Sequence, residues 1–386
     1  MKNLIIYAAS AMFALTACNA LDIIPSDSYS DPVVWQDQNL IKMYVNDQYN
    51  ALVGQDNFYR YSFFSDEVYQ KYNDEGCNYI RENILTSDNV GSVSDVLNYW
   101  NTGYGYLHKV NMFFENIESS RVDEEFKNTM INEMKFIRAF IYFRLIRSYG
   151  GVPIIKEVYD INSDWSNVKR NTYNECVEYI ISDLDDVIAN LPDRPSERNR
   201  VGANAARALK SRVLLYNASA LNNPDNDKER WQKASDAAKE LLDKGYSLCD
   251  NYREMFFDVT NNEYIFAKEF SETYSHMLGF NLACTGDGGR GWATPSQNLV
   301  DAYETLDGEI PVLNSESGDI NPKSIYNPEK PYENRDPHFY DCIYYNGSTS
   351  LNGRTVETFK DGADMIQQDM TMTGYYCRKF VNENEP

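Results

Sequence analysis

At 386 residues, with 36 Lys+Arg against 58 Asp+Glu and a formal net charge of −22, the chain is unsuited to nucleic acid, whose binding rests on neutralising phosphates. The same charge opposes unaided attachment to anionic lipid, and past the leader no stretch reaches the roughly 18 consecutive apolar residues that span a bilayer. Seven cysteines, none in a Cys-x-x-Cys pair, exclude a zinc ribbon or a dithiol redox motif.

The first residues, MKNLIIYAASAMFALTAC, combine one Lys, an apolar run of signal-peptide length and small residues before Cys18. Residues 1–17 read as a secretory signal, and Leu15-Thr16-Ala17-Cys18 reads as a bacterial lipobox, with Cys18 as the lipidated first residue of the mature protein. Residues 18–30 then form a tether. Asp31-Pro32 starts a helix running to about Leu52, and Ser94 caps another to about Ile117. The stretch KFIRAFIYFRLIRSYGGVPII, from Lys135 to Ile155, distributes Phe136, Ile137, Phe140, Ile141, Phe143, Leu145 and Ile146 around the whole helical circumference. A helix apolar on all sides is a buried helix. Its Arg138, Arg144 and Arg147 point in three directions, which suits separate pairing with neighbours better than one anion site. Gly150-Gly151 followed by Val152-Pro153 ends it.

Thr172-x-x-Glu175 is a capping box opening a helix to Asn190, stopped by Leu191-Pro192. Helices over Ala203–Leu221 and Trp231–Lys244 follow. Helix pairs with alanines at their crossings build helix-repeat solenoids, so residues 31–250 read as a TPR-like helical scaffold. From about Asn251, Gly, Pro, Asn and Tyr rise and helical periodicity fades. Residues 251–386 read as a loop-rich α+β lobe, with strand-like runs EYIFAKEF and HFYDCIYY and a helix capped by Thr294-Pro295 and running to about Tyr303. Loop-rich surface is where binding usually resides.

Catalytic signatures are missing: His108, His276 and His338 show no His-Glu-x-x-His spacing and read as structural, and there is no Gly-x-Ser-x-Gly elbow. The acidic clusters Asp123-Glu124-Glu125 and Asp183 with Asp185-Asp186 fall where helix starts and solvated faces belong. Gly286-Asp287-Gly288-Gly289-Arg290-Gly291 fits Gly-x-Gly-x-x-Gly, but no helix opens on its last glycine, so it reads as a tight loop presenting Arg290 and Trp292, and no cofactor is expected. The positive signal is aromatic: 30 Tyr outnumber the 18 Phe and 5 Trp together. In DEVYQKYNDEGCNYIREN, Tyr69, Tyr72 and Tyr79 surround Asp66, Glu67 and Arg81. Flat rings beside carboxylates and arginines suit sugars, whose faces stack while their hydroxyls take polar contacts. Trp292 is the expected platform, assisted by Tyr69 and Tyr72, with Asp66, Arg81 and Arg290 as hydrogen-bonding partners.

The segment EMKFIRAFIYFRLIRSYGGVPII, through Glu133, Phe136, Arg138-Ala139, Tyr142-Phe143, Leu145 and Tyr149 to Pro153, resembles the hallmark of the SusD/RagB-like family of Bacteroidetes outer-membrane nutrient-binding lipoproteins. YWNTGYGYLHKVNMFFENI, NRVGANAARALKSRVLLY, WQKASDAAKELLDKGYSL, TPSQNLVDAYETLDG, YENRDPHF and TGYYCRKF resemble further blocks of that family in the same order. The resemblance implies a non-enzymatic lipoprotein whose TPR-like half docks on a SusC-like TonB-dependent transporter while another face holds glycan or, in some members, peptide. It also implies a further helix pair after Arg378-Lys379-Phe380, so the chain is expected to lack its last repeat. A structural interaction scaffold with no ligand of its own is the reading from another class.

Overall fold

The computed structural model describes residues 31–52, 61–70, 77–93, 98–270, 277–365 and 371–383; Cys18, Tyr72, Ser94 and His276 lie outside the described residues. The protein is mainly α. The helix expected over residues 31–52 is divided into α1 (Asp31–Val34) and α2 (Gln38–Gln48). The cause is local: the Asp37 side chain accepts from the N–H groups of Asn39 and Leu40 at 2.7 and 3.1 Å, so a fresh N-terminus starts there. Strand β1 (Val68–Gln70) and the short α3 (Cys77–Arg81) come next, then the long helices α4 (Trp100–Ile117), α5 (Glu124–Tyr149), α6 (Tyr173–Asn190), α7 (Ala203–Ala218) and α8 (Lys228–Lys239). Each long helix packs on the next, α4 on α5 through α7 on α8, and α2 packs against α5.

The helix starts read at the Asp123 cluster and at the Thr172–Glu175 box are formed. Asp123 caps α5 through the Phe126 N–H at 2.9 Å, and both halves of the Thr172–Glu175 box are formed at α6. The apolar rod is longer than its sequence hallmark. Its buried residues run from Met130 to Ile146 and lie on every side of the helix, including Glu133, Met134, Ile137, Tyr142 and Leu145.

The charged side chains along the rod are paired or lie over rings. Arg138 on α5 donates from Nε and Nη2 to the two oxygens of Asp183 on α6 at 2.8 and 2.7 Å, with its guanidinium 4.3 Å over the Phe114 ring. Glu133 pairs with Arg200 and accepts from Tyr49 Oη at 2.9 Å. The Arg144 guanidinium lies 3.6 Å over Tyr99, and Arg147 donates to Tyr61 Oη at 2.5 Å. The acidic clusters are structural in the same sense, since Asp185 pairs with Lys210 and Asp186 with Lys135. At the end of α5, Gly150 has φ +70°, and a Cβ on Gly151 would enter the backbone of Asn171 and Thr172. The exit of α5 is thereby sealed against the entry to α6.

The second lobe contains α9 (Leu278–Leu282), β2 (Ala293–Pro295), α10 (Gln297–Ala302), β3 (Val312–Asn314), β4 (Asp319–Ile320), α11 (Pro337–Cys342), β5 (Ile343–Tyr344) and β6 (Tyr376–Cys377). Its strands form three two-stranded antiparallel ribbons, β1–β2, β3–β4 and β5–β6. Three local expectations are corrected. EYIFAKEF forms no strand. HFYDCIYY is mostly helix, because Asp336 accepts from the His338 N–H at 2.8 Å with Pro337 in the first turn, leaving only Ile343-Tyr344 as strand. Thr294-Pro295 belongs to β2, and Ser296 caps α10 through the Leu299 N–H at 3.1 Å. The core of this lobe also takes Phe63, Val68 and Cys77 from the N-terminal part of the chain.

Asp183→Ala leaves the Arg138 guanidinium buried without its counter-charge. Urea unfolding of this variant is expected to show a loss of about 3 kcal/mol or more, whereas Asp186→Ala, at a half-exposed pair, is expected to lose less than about 1 kcal/mol.

Candidate ligand-binding site

The site predicted from sequence is organised by the β1–β2 ribbon. Val68 pairs with Pro295, Tyr69 with Thr294 and Gln70 with Ala293, in antiparallel register. Strand side chains alternate, so Val68, Ala293 and Pro295 share one face while Tyr69 and Thr294 share the other. Thr294 is fully buried and its Oγ1 donates to the Tyr69 carbonyl at 3.1 Å; Tyr69 itself is 39% exposed. The Arg81 guanidinium, at the end of α3, stands 4.8 Å over the Tyr69 ring. Asp66 lies at the far end of the ribbon, where its carbonyl accepts from Ser296 Oγ and its side chain faces Asn298 Nδ2 at 3.5 Å.

The glycine run forms the turn before β2. Asp287 and Gly289 donate backbone N–H bonds to the Cys284 carbonyl at 3.1 and 3.0 Å, and Gly291 to that of Ala283 at 3.1 Å. Gly291 has φ +52° and would place a Cβ 2.5 Å from Tyr376 Cε1, so no other residue fits there without strain. The turn is anchored from below by Arg354, which reaches Asp287 and Asp364 at 2.6 Å each, while Asp364 also accepts from the Gly286 N–H at 2.8 Å. The two carboxylates are 4% and 0% exposed. They raise the Arg354 pKa above its already high ordinary value, the hydrogen bond to Asp287 contributing most.

Of the residues expected to bind, Arg290 is exposed, its guanidinium 5.0 Å from the Phe280 ring and 5.7 Å from Trp292. Trp292 is half-buried against the lobe core, with its indole N–H enclosed and without a hydrogen-bond partner among the described residues. The structure thus forms two cation–ring pairs, Arg81–Tyr69 and Arg290–Trp292, on segments joined by one ribbon. It separates Asp66 to the ribbon's other end.

Behind the ribbon lies a cleft of about 520 Å³ that sequence reading missed. Val68, Ala293 and Pro295 form one wall, and Tyr252, Tyr303, His338, Cys342, Cys377 and Lys379 contribute to the others. Lys379 Nζ stands 5.3, 4.8 and 5.4 Å from the rings of Tyr252, Phe256 and Phe380. His338 Nδ1 lies 2.8 Å from Asp336, and the imidazole meets the edge of Tyr252 at 4.6 Å between centroids. Burial pushes the Cys377 thiol up to about 12 and lifts the Tyr303 hydroxyl above its ordinary value, so both are neutral at pH 7. A concave apolar space with a few converging polar groups has the general character of a small-ligand site. Its walls come from segments far apart in the chain, which no short stretch of sequence brings together. Among the described residues no group of three or more His, Cys, Asp or Glu is placed to hold a metal ion.

Comparison with known proteins agrees with this architecture. Residues 21–215 match the family described as "Starch-binding associating with outer membrane", and residues 262–386 match the SusD family. The chain belongs to the SusD/RagB family. A SusD-like protein of Bacteroides fragilis is 28% identical and superposes with a TM-score of 0.74 over 92% of this chain and 71% of that one. A second B. fragilis structure, of a SusD-like carbohydrate-binding protein, has the same fold at 22% identity, with a TM-score of 0.74 over 92% of this chain and 69% of its own. SusD-like protein P2 of Formosa agariphila is 23% identical over 300 residues, 72% of this chain and 57% of the relative. A SusD-like protein of Bacteroides ovatus is 25% identical over 226 residues, 54% of this chain and 40% of the relative. The chain therefore spans about half the length of these two curated relatives. The family is one associated with the outer membrane, and among the described residues no helix is long and apolar enough to cross a membrane.

In this SusD-family chain the loop bearing Arg290 is only as well placed as its anchor. Arg354→Leu leaves Asp287 and Asp364 buried without a counter-charge. The variant is expected to lose about 3 kcal/mol or more in urea unfolding and to shift the tryptophan emission to longer wavelength as Trp292 becomes hydrated.

Proposed function

We propose that the protein is a non-catalytic, cell-surface lipoprotein that captures oligosaccharide and hands it to a TonB-dependent, SusC-like outer-membrane transporter. The observation that carries this reading is the β1–β2 ribbon, which holds Tyr69 under the Arg81 guanidinium and leads directly into the Arg290–Trp292 pair. Rings offer stacking faces for sugars, and guanidinium groups donate paired hydrogen bonds to vicinal oxygens. Membership of a family associated with the outer membrane supports the location. The Leu15-Thr16-Ala17-Cys18 lipobox supports attachment through lipid on Cys18, with residues 18–30 as a tether. Tyr72 is kept as a further contact of the same loop. The TPR-like scaffold would be the transporter-facing part, since a rigid helical array offers an extended docking surface. A ligand in transit needs only moderate affinity, because it must be released onward.

Two experiments test the reading. Residues 19–386 are run on native gels containing plant, microbial and host polysaccharides. One polysaccharide is expected to retard the protein, and Tyr69→Ala and Arg290→Ala are each expected to weaken its apparent affinity by about tenfold, about 1.4 kcal/mol. Retardation by none of them, or retardation unchanged in both variants, would overturn the assignment; binding of peptides instead would move the ligand class to peptide. In cells, Cys18→Ser is expected to shift the protein from the membrane fraction to the soluble one, and persistence in the membrane would refute lipid attachment.

A further inference from the structure

The cleft of about 520 Å³ behind the β1–β2 ribbon contains a cation that no described residue neutralises. Lys379 is half-buried and lines the cleft together with Tyr252, Phe380 and the apolar wall of Val68, Ala293 and Pro295. Its Nζ stands 5.3, 4.8 and 5.4 Å from the Tyr252, Phe256 and Phe380 rings. Ring faces attract an ammonium group, but they do not replace the oxygens that its three N–H bonds seek. Among the described residues no carboxylate pairs with Lys379 and no oxygen accepts from it. The carboxylate on the same segment is already engaged: Glu383 accepts from Arg378 Nε at 2.9 Å and from Tyr344 Oη, and it pairs with Arg253 Nη2 at 3.4 Å.

The rest of the lining decides what would complete the pair. Its one carboxylate, Glu67, is exposed, faces Ser62 Oγ at 3.4 Å and lies beyond ion-pair distance of Lys379. Tyr303 and Cys377 are neutral at pH 7, so neither competes for the ammonium. His338 is turned to Asp336 through Nδ1 at 2.8 Å. An anion beside Lys379 would be held more strongly than in water, because apolar walls screen charge poorly. An apolar body attached to that anion would gain by leaving water. Lys379 is the one Lys or Arg in the lining, so a single negative charge is matched, whereas a phosphate dianion would keep one charge unpaired beside apolar walls. An oligosaccharide is poorly served here, since its many hydroxyls need partners that these walls do not offer.

We propose that the cleft is a second ligand site that takes a small monocarboxylic acid, its apolar body against Val68, Ala293 and Pro295 and its carboxylate on Lys379 Nζ. The site does not depend on what the Tyr69 side of the ribbon binds. The test is calorimetric titration of residues 19–386 with 3-phenylpropionate and octanoate, with the matching alcohols 3-phenylpropan-1-ol and octan-1-ol, and with L-phenylalanine. One or both acids are expected to bind wild type at least tenfold more tightly than the matching alcohol. Lys379→Met keeps an apolar stem among the three rings and removes the charge. Once far-UV circular dichroism verifies that it is folded, this variant is expected to bind the acids at least tenfold more weakly and the alcohols as wild type does. Absence of binding by both acids, or alcohols that bind wild type as tightly as the acids, would overturn the proposal, and this comparison needs no variant. Unchanged acid affinity in Lys379→Met would refute the pairing with Lys379. Tighter binding of L-phenylalanine than of 3-phenylpropionate would replace the monocarboxylate by a zwitterion that also engages Glu67, and so would overturn the stated class. Acid binding by a protein that no polysaccharide retards would support this site while removing the ribbon reading.

Discussion

Burial of α5 from Met130 to Ile146 is the constraint on which the rest of the architecture depends. A buried stretch of helix cannot leave a charge unpaired, because an isolated buried charge costs several kcal/mol. The ionic and polar partners of α5 come from several parts of the chain: Asp183 and Asp186 from α6, Arg200 from the turn before α7, Tyr49 from the end of α2, and Tyr99 and Tyr61 from the loops leading to α4 and β1. These contacts do more than neutralise charge. They fix the rotation of α5 about its axis, since Arg138 meets Asp183 on one side while Glu133, Arg144 and Arg147 meet their partners on another. The close approach of Gly151 to Asn171 and Thr172 then fixes where the chain emerges, and with it the path of residues 152–171 over α4.

The loop-rich lobe solves a different problem. Its strands are two or three residues long, too short to be stable alone, so its organisation comes from packing and from buried ion pairs. Phe63, Val68 and Cys77 cross from the N-terminal part of the chain into its core, and β1 pairs with a strand about 225 residues away. The ribbon so formed serves both sides at once, with Tyr69 outward and Val68, Ala293 and Pro295 toward the cleft. Arg354 plays the part here that Arg138 plays in the scaffold, but it holds a turn instead of a helix.

The acidic composition acquires meaning from where the cations are placed. Many arginines are consumed internally, at Asp183, Glu133, Asp287 and Asp364. Arg81 and Arg290 instead lie over exposed or half-buried rings, at Tyr69 and Trp292.

What the sequence determined by itself was local. Capping at Asp123 and at Thr172 with Glu175, the all-round apolar pattern of α5, its termination at Gly150-Gly151 and the turn chemistry of residues 286–291 each depend on residues a few positions apart, and all appear where they were read. The same locality misled it at HFYDCIYY, where an N-cap at Asp336 outweighed β-prone composition, and at EYIFAKEF, where strand-like residues found no partner strand. Tertiary structure alone decided that Tyr69 would lie opposite Thr294, that Trp292 would rest half in the core, that Lys379 would stand among Tyr252, Phe256 and Phe380, and that Trp165 would face α4. These are pairings between distant segments, selected by which surfaces can be buried together, and no short stretch of sequence contains that information.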